Sequence, residues 1–150
     1  MCVDIVLVEP EIPHNAGAAG RLSLALGATL HLVKPLGFSL EEKAVRRAGL
    51  DYWKYVDLQV WENWEEFEKA HKGRRMVLST TKATTHHWDF HFLPGDLLVF
   101  GKETAGLPQS LRDAWPNSLI KIPMEPTSTR SLNLATSIGI VAYEAARQLR

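Results

Sequence analysis

Apolar residues along this chain fall into short, nearly unbroken runs, separated by longer stretches in which they recur every three or four positions. The runs VDIVLV (3–8), TLHLV (29–33), RMVLSTT (75–81), DLLVF (96–100) and NSLIKIP (117–123) have the length and composition of strands. The stretches NAGAAGRLSLALG (15–27), SLEEKAVRRAG (39–49), WENWEEFEKAHK (61–72) and SLNLATSIGIVAYEAARQL (131–149) read as helices. Gly27 and Gly49 are their natural stops, and Ser39 a candidate cap. The strands are apolar on both faces instead of alternating, which suits a sheet covered on both sides. Strands that alternate with helices imply crossover connections. The predicted fold is therefore α/β, a mostly parallel sheet with helices on both faces. The closing helix carries apolar residues on nearly every side, including Leu132, Leu134, Ile138, Val141 and Ala142, more than one sheet face covers. A second subunit would cover the rest.

In open α/β sheets ligands gather at the carboxyl ends of the strands. The loops after 3–8, 75–81, 96–100 and 117–123 are thus the places for chemistry. The first, EPEIPHNAGAAGR, leads into a helix of small residues, with Asn15 as a candidate cap and Arg21 either a surface charge or aimed at a phosphate or carboxylate. The third, FGKETAGLPQSL (100–111), looks like a phosphate loop, but Leu107-Pro108 stands where a triphosphate loop requires Lys and Ser or Thr. Glu103 in that loop would repel phosphate, so the reading left open is a tight strand-to-helix turn with an exposed carboxylate. In the last loop, IPMEPTSTRSLNL, Ser131 is placed to cap the closing helix and Asn133 lies in its first turn.

Composition narrows the class of molecule. At 150 residues the chain is expected to form one domain, 1–150, and 45% hydrophobic with 23% charged residues is ordinary for a globular protein. Seventeen basic residues balance 17 acidic ones, which argues against non-specific polycation binding while leaving room for a local basic patch. A single cysteine, Cys2, allows no intrachain disulfide. No apolar stretch approaches the ~20 residues of a membrane span and the amino terminus lacks the basic flank of a signal peptide, so no membrane partner and a cytoplasmic location are expected. THHWDFH (85–91) offers three histidines but no fourth ligand, and no metal is expected. Trp61 and Trp64, at helical spacing, read as packing. KAVRRAGLDYWK (43–54) mixes cations with Tyr52 and Trp53, a mixture that suits RNA or a solvated helix face equally.

Three loop patterns occur in order: N-x5-R from Asn15 to Arg21, F-G-x-E-x-x-G-L-P from Phe100 to Pro108, and I-P-M…S-L-N-L from Ile122 to Leu134. With them, essentially the whole chain resembles the SPOUT superfamily of RNA methyltransferases, in its SpoU-like branch of ribose 2′-O-methylating enzymes. Within that branch it is similar to the small YibK-like tRNA wobble-ribose group. The resemblance implies a carboxyl-terminal trefoil knot, a homodimer packed through the first and last helices, and S-adenosylmethionine as methyl donor with no metal. It implies donor contacts at Ser79, Thr80, Gly101, Glu103, Gly106, Ile122, Met124, Ser131 and Leu132. The catalytic group it implies is Arg21, Asn15, Glu103, Ser131 and Asn133, with Asn15 fixing Arg21 or the ribose and Glu103 holding Arg21 or substrate groups. Arg46, Arg47, Lys82 and Arg130 are the candidates for binding the tRNA anticodon stem-loop. The expected reaction is 2′-O-methylation of a wobble cytidine or modified uridine. The same chemistry on ribosomal RNA or another tRNA position, and a non-catalytic donor-binding module, remain the alternatives.

Overall fold

The computed structural model describes residues 3–150; Cys2 and the reading attached to it lie outside the described residues. The strands are β1 (Asp4–Val8), β2 (Leu30–Val33), β3 (Leu58–Trp61), β4 (Met76–Ser79), β5 (Leu97–Phe100) and β6 (Leu119–Ile120). They form one sheet in the order β3-β2-β1-β5-β4-β6, with every pair of neighbours parallel. The α-helices are α1 (Pro13–Leu26), α2 (Glu42–Arg47), α3 (Trp64–Ala70), α4 (Gln109–Ala114) and α5 (Leu134–Leu149).

The pleat divides each strand between two cores, as expected for a sheet covered on both sides. Ile5, Leu7, Leu30, Leu32, Val77, Leu98 and Phe100 face Ala16 and Ala19 of α1 and Ile138, Val141, Ala142 and Ala145 of α5. Val6, Val8, Val33, Met76, Leu78, Leu97 and Val99 face Phe67 of α3 and Leu111 of α4. Most of these side chains are fully buried, and each buried Val, Leu, Ile, Met or Phe contributes about 1.5–3 kcal/mol relative to exposure.

Several boundaries differ from the sequence reading, each for a local reason. Trp61 and Trp64 do not share a helix. Trp61 ends β3, and Asn63 starts α3 by accepting the Glu66 N–H at 2.9 Å. Both tryptophans pack on Phe67, as the packing reading had it. β3 hid in the sequence because it is an edge strand, half-buried or exposed at every position. Helix α4 follows the glycine-rich loop and is too short, at six residues, to show a periodic stripe. Asn15 does not cap α1. The cap position is Ile12, with Pro13 opening the helix, and Asn15 is buried inside the first turn. Nor does Ser131 cap α5: Asn133 does, accepting the Thr136 N–H at 3.2 Å. Gly27 ends α1 in the left-handed region, φ 65°, as its position predicted. α5 buries one stripe in this chain and leaves Tyr143 half exposed.

Candidate functional site: a cleft at the carboxyl ends of the strands

Because all strands run in parallel, the chain leaves β1, β4, β5 and β6 on one side, and the four exits enclose a cleft of about 550 Å³. Its walls contain every one of the expected donor positions: Ser79 and Thr80 after β4, Gly101, Glu103 and Gly106 after β5, Ile122 and Met124 after β6, and Ser131 and Leu132 before α5. Asn15, Asn133 and Lys82 line it too. Arg21, Arg46, Arg47 and Arg130 do not. Arg21 is exposed on α1, its guanidinium 5.2 Å from the centroid of the Tyr52 ring. Arg46 and Arg47 are exposed on α2, where Arg46 pairs with Glu42 at 2.6 Å, and Arg130 is exposed in the loop before α5.

Close backbone approach shapes the loop 101–107. The Gly106 N–H donates to the Lys102 carbonyl at 2.9 Å, and Gly106 has φ 67°. A Cβ on Gly101 would lie 2.1 Å from the Gly106 carbonyl carbon and 2.3 Å from the Leu107 nitrogen. Gly101 therefore cannot be replaced without moving the cradle, whereas a side chain at Gly106 would meet open space and cost only its positive φ.

Within one chain Glu103 is neither a free exposed carboxylate nor paired with that chain's Arg21. Its Oε1 accepts the Glu11 N–H at 2.8 Å, and its Oε2 accepts the Ile12 N–H at 2.8 Å and the Asn15 Nδ2 at 3.0 Å. It supplies from another loop the negative charge that the start of α1 lacks. The bond is reciprocated. Glu11 Oε1 accepts from both the N–H and the hydroxyl of Thr104, at 2.9 and 2.8 Å, and the Thr104 N–H bond leads the causes that lower the Glu11 pKa below its usual value. Lys102 adds an ion pair to Glu9 at 3.4 Å, and Glu9 turns the chain off β1 in the left-handed region, φ 53°. Asn15 carries the tie further, its Oδ1 accepting from Asn133 Nδ2 at 3.3 Å. Glu103, Asn15 and Asn133 thus form one hydrogen-bonded line joining the β5 loop, α1 and the start of α5. Within one chain Asn15 holds that line and makes no hydrogen bond to Arg21 among the described residues.

The sequence reading missed Arg112 of α4, which lines the cleft, and the latch from Glu11 to Thr104. A lone arginine in an unrecognised six-residue helix carries no signal in sequence. The acid pair of EPE in the first loop was a signal for the latch. Among the described residues no group of three or more His, Cys, Asp or Glu side chains is arranged to hold a metal, and no helix is long and apolar enough to cross a membrane.

A cleft built from these four loops has counterparts in known proteins, and the SpoU rRNA methylase family profile matches residues 3–143. The chain belongs to the SpoU methylase family. One relative within it, a tRNA (cytidine(34)-2′-O)-methyltransferase of Methylovorus glucosotrophus (strain SIP3-4), is 52% identical over 146 residues, covering 97% of this chain and 94% of its own. The enzyme of the same name from Escherichia coli (strain K12) is 44% identical over 148 residues, covering 98% and 94%. A solved structure described as "Structural insights into the 2-OH methylation of C/U34 on tRNA" superposes with a TM-score of 0.90 at 43% identity, covering 98% of this chain and 95% of that one. The SpoU methyltransferase AviRb from Streptomyces viridochromogenes, solved in complex with AdoMet, gives 0.84 at 26% identity, covering 97% and 57%. The six-stranded parallel sheet with helices on both faces is thus a SpoU-family fold.

Proposed function

We propose that this chain, acting as one domain over residues 1–150, is an S-adenosylmethionine-dependent tRNA methyltransferase. It methylates the ribose 2′-hydroxyl at wobble position 34, on cytidine or a modified uridine, and it does so in the cytosol as a homodimer. The observation that carries this reading is the convergence of all the expected donor positions on one cleft. The names of full-length relatives at 44–52% identity support it. The cleft fits the donor chemically. A sulfonium nucleoside has no phosphates, so a glycine cradle without the triphosphate-loop lysine suits it, and backbone groups of Gly101, Gly106 and Ile122 serve as its edges.

The donor supplies an electrophilic methyl group to the ribose oxygen. The chain's own residues must position that hydroxyl and ease loss of its proton. Guanidinium is essentially always protonated, so Arg21 acts by orienting the hydroxyl and stabilising the developing alkoxide, not as a base. Arg21 stands outside its own chain's cleft and reaches that of a second copy, packed through α1 and α5, where Leu24 and Tyr143 are exposed. Asn15, Glu103 and Asn133 hold the first and last loops around the ribose, and Ser131 offers its hydroxyl from the cleft wall. Lys82 at the cleft rim and the exposed Arg46, Arg47 and Arg130 take the anticodon-loop phosphates. The Arg46–Glu42 pair is exposed and worth only about 0.3–0.5 kcal/mol, so it yields readily to a phosphate.

The test is methyl transfer from radiolabelled S-adenosylmethionine to tRNA that lacks the modification, followed by digestion. Label in a position-34 2′-O-methyl nucleotide is expected. Label elsewhere discards the substrate, and no label despite donor binding discards the reaction. A second reading, the same reaction on ribosomal RNA, rests on the family description, and offering both RNAs in one assay separates the two. Arg21→Ala is expected to lower turnover at least ~100-fold with donor binding kept, and unchanged turnover would remove Arg21 from the mechanism.

A further inference from the structure

The cleft contains a charge that has no partner among the described residues. Its other charged lining groups are accounted for: Lys102 pairs with Glu9, Glu103 accepts from Glu11, Ile12 and Asn15, and Lys82 is exposed to water at the rim. Arg112 is different. It is half-buried, its Nε is buried with no hydrogen-bond partner, and no carboxylate among the described residues pairs with its guanidinium. A guanidinium N–H withdrawn from water normally finds an acceptor, because desolvating it otherwise costs free energy. Its planar fork of donors matches a carboxylate in particular.

We propose that Arg112 is the anion-binding residue of the donor site, and that its guanidinium receives the α-carboxylate of the amino-acid half of S-adenosylmethionine. This rests on the donor-cleft reading above. The carboxylate is the only anionic group of that molecule, and a half-buried arginine in the cleft wall meets a ligand that enters the cleft. RNA phosphates remain at the rim, within reach of the exposed Lys82. Arg112 therefore selects for the intact amino-acid portion, while the glycine cradle accepts the adenosine.

The test compares two donor-site ligands by calorimetry: S-adenosylhomocysteine, which keeps the carboxylate, and 5′-methylthioadenosine, which lacks the amino-acid half. With the unaltered protein both are expected to bind. Failure of both would overturn the donor-cleft reading itself. In Arg112→Gln, S-adenosylhomocysteine is expected to bind about 10- to 100-fold more weakly, the loss of a charge-assisted contact, while 5′-methylthioadenosine changes less than about twofold. Arg112→Lys, which keeps the charge without the fork, is expected to restore part of the difference. Equal weakening of both ligands, or no weakening of either, would overturn the assignment. Thermal melts of each variant separate a folding defect from a binding one. Removing an unpartnered half-buried charge is expected to leave the ligand-free melting temperature unchanged or raised.

Discussion

The two ends of the sheet treat polar side chains in opposite ways. At the amino ends, charges are closed within the protein. Asp4 takes the His31 Nε2 at 3.2 Å, Arg74 Nη1 at 3.1 Å and the Thr29 N–H at 3.2 Å. Trp61 Nε1 donates to His31 Nδ1 at 3.1 Å, which leaves Nε2 as the nitrogen that faces Asp4. Burial alone would raise the Asp4 pKa, but the bonds from His31, Thr29 and Arg74 outweigh it and hold the pKa at about 2. Asp96, nearly inaccessible, takes a two-pronged Arg75 at 2.9 and 2.6 Å and the Leu93 N–H at 2.8 Å. At the carboxyl ends, carboxylates also bind backbone N–H groups, but they do so to tie loops to one another beside an open cleft, and Arg112 is left without a partner among the described residues. Parallel strands put both sets of ends in register. One end can then be spent on stability and the other kept open for a ligand.

The comparison breaks most sharply at Gly101. Gly101→Ala puts a Cβ into the Gly106–Leu107 backbone and is expected to weaken S-adenosylhomocysteine binding by more than ~100-fold by calorimetry. Its amino-end networks remain intact, but backbone must shift to admit the Cβ, so its unfolding free energy should fall as that of Asp96→Ala does, while only Gly101→Ala loses the ligand. That second variant strips a buried carboxylate from Arg75 and the Leu93 N–H, and denaturant unfolding should show a loss of about 3 kcal/mol with ligand affinity kept. If Asp96→Ala lost ligand affinity instead, the two ends would not be independent.

Asp4 sharpens the contrast through pH. Its folded pKa lies below its usual value of 3.8, so its contribution is fully present above about pH 4 and is lost as pH falls towards 2. The shift corresponds to about 2 kcal/mol. Asp4→Asn should lose that amount at neutral pH and show a flatter stability curve between pH 4 and 2, measured by urea unfolding at each pH. The smallest effect is expected at the latch. Glu11→Gln keeps an oxygen for Thr104 and should change S-adenosylhomocysteine affinity by less than about twofold. A large loss there would mean that the Glu11 charge, not its geometry, holds the cleft open.

The legible parts of the molecule were those in which local pattern and tertiary need agree. β1, β4 and β5 were visible as apolar runs because both their faces are buried, and α1 was visible through its Gly27 stop. β3, an edge strand with little burial, and α4, a helix of six residues, fall below what periodicity detects. At the cleft, the glycines and the loop order were readable, and so were the positions of Ser79, Ile122 and Leu132. The partners were not. Asn15, Asn133 and Glu103 each look like a local cap or an exposed acid, and which of them caps what depends on residues up to 118 positions away.

The sequence alone determined the alternation of strands and helices, the parallel sheet they require, and the loops at which chemistry would gather, because these follow from short-range periodicity and from glycine and proline placement. Only the tertiary structure decided that Glu103 holds the chain leading into a distant helix, that Arg21 stands outside its own cleft, and that Arg112 lines it without a partner among the described residues. Hydrogen-bond partners and unpaired charges are properties of atoms brought together in space, and spacing along the chain does not encode them.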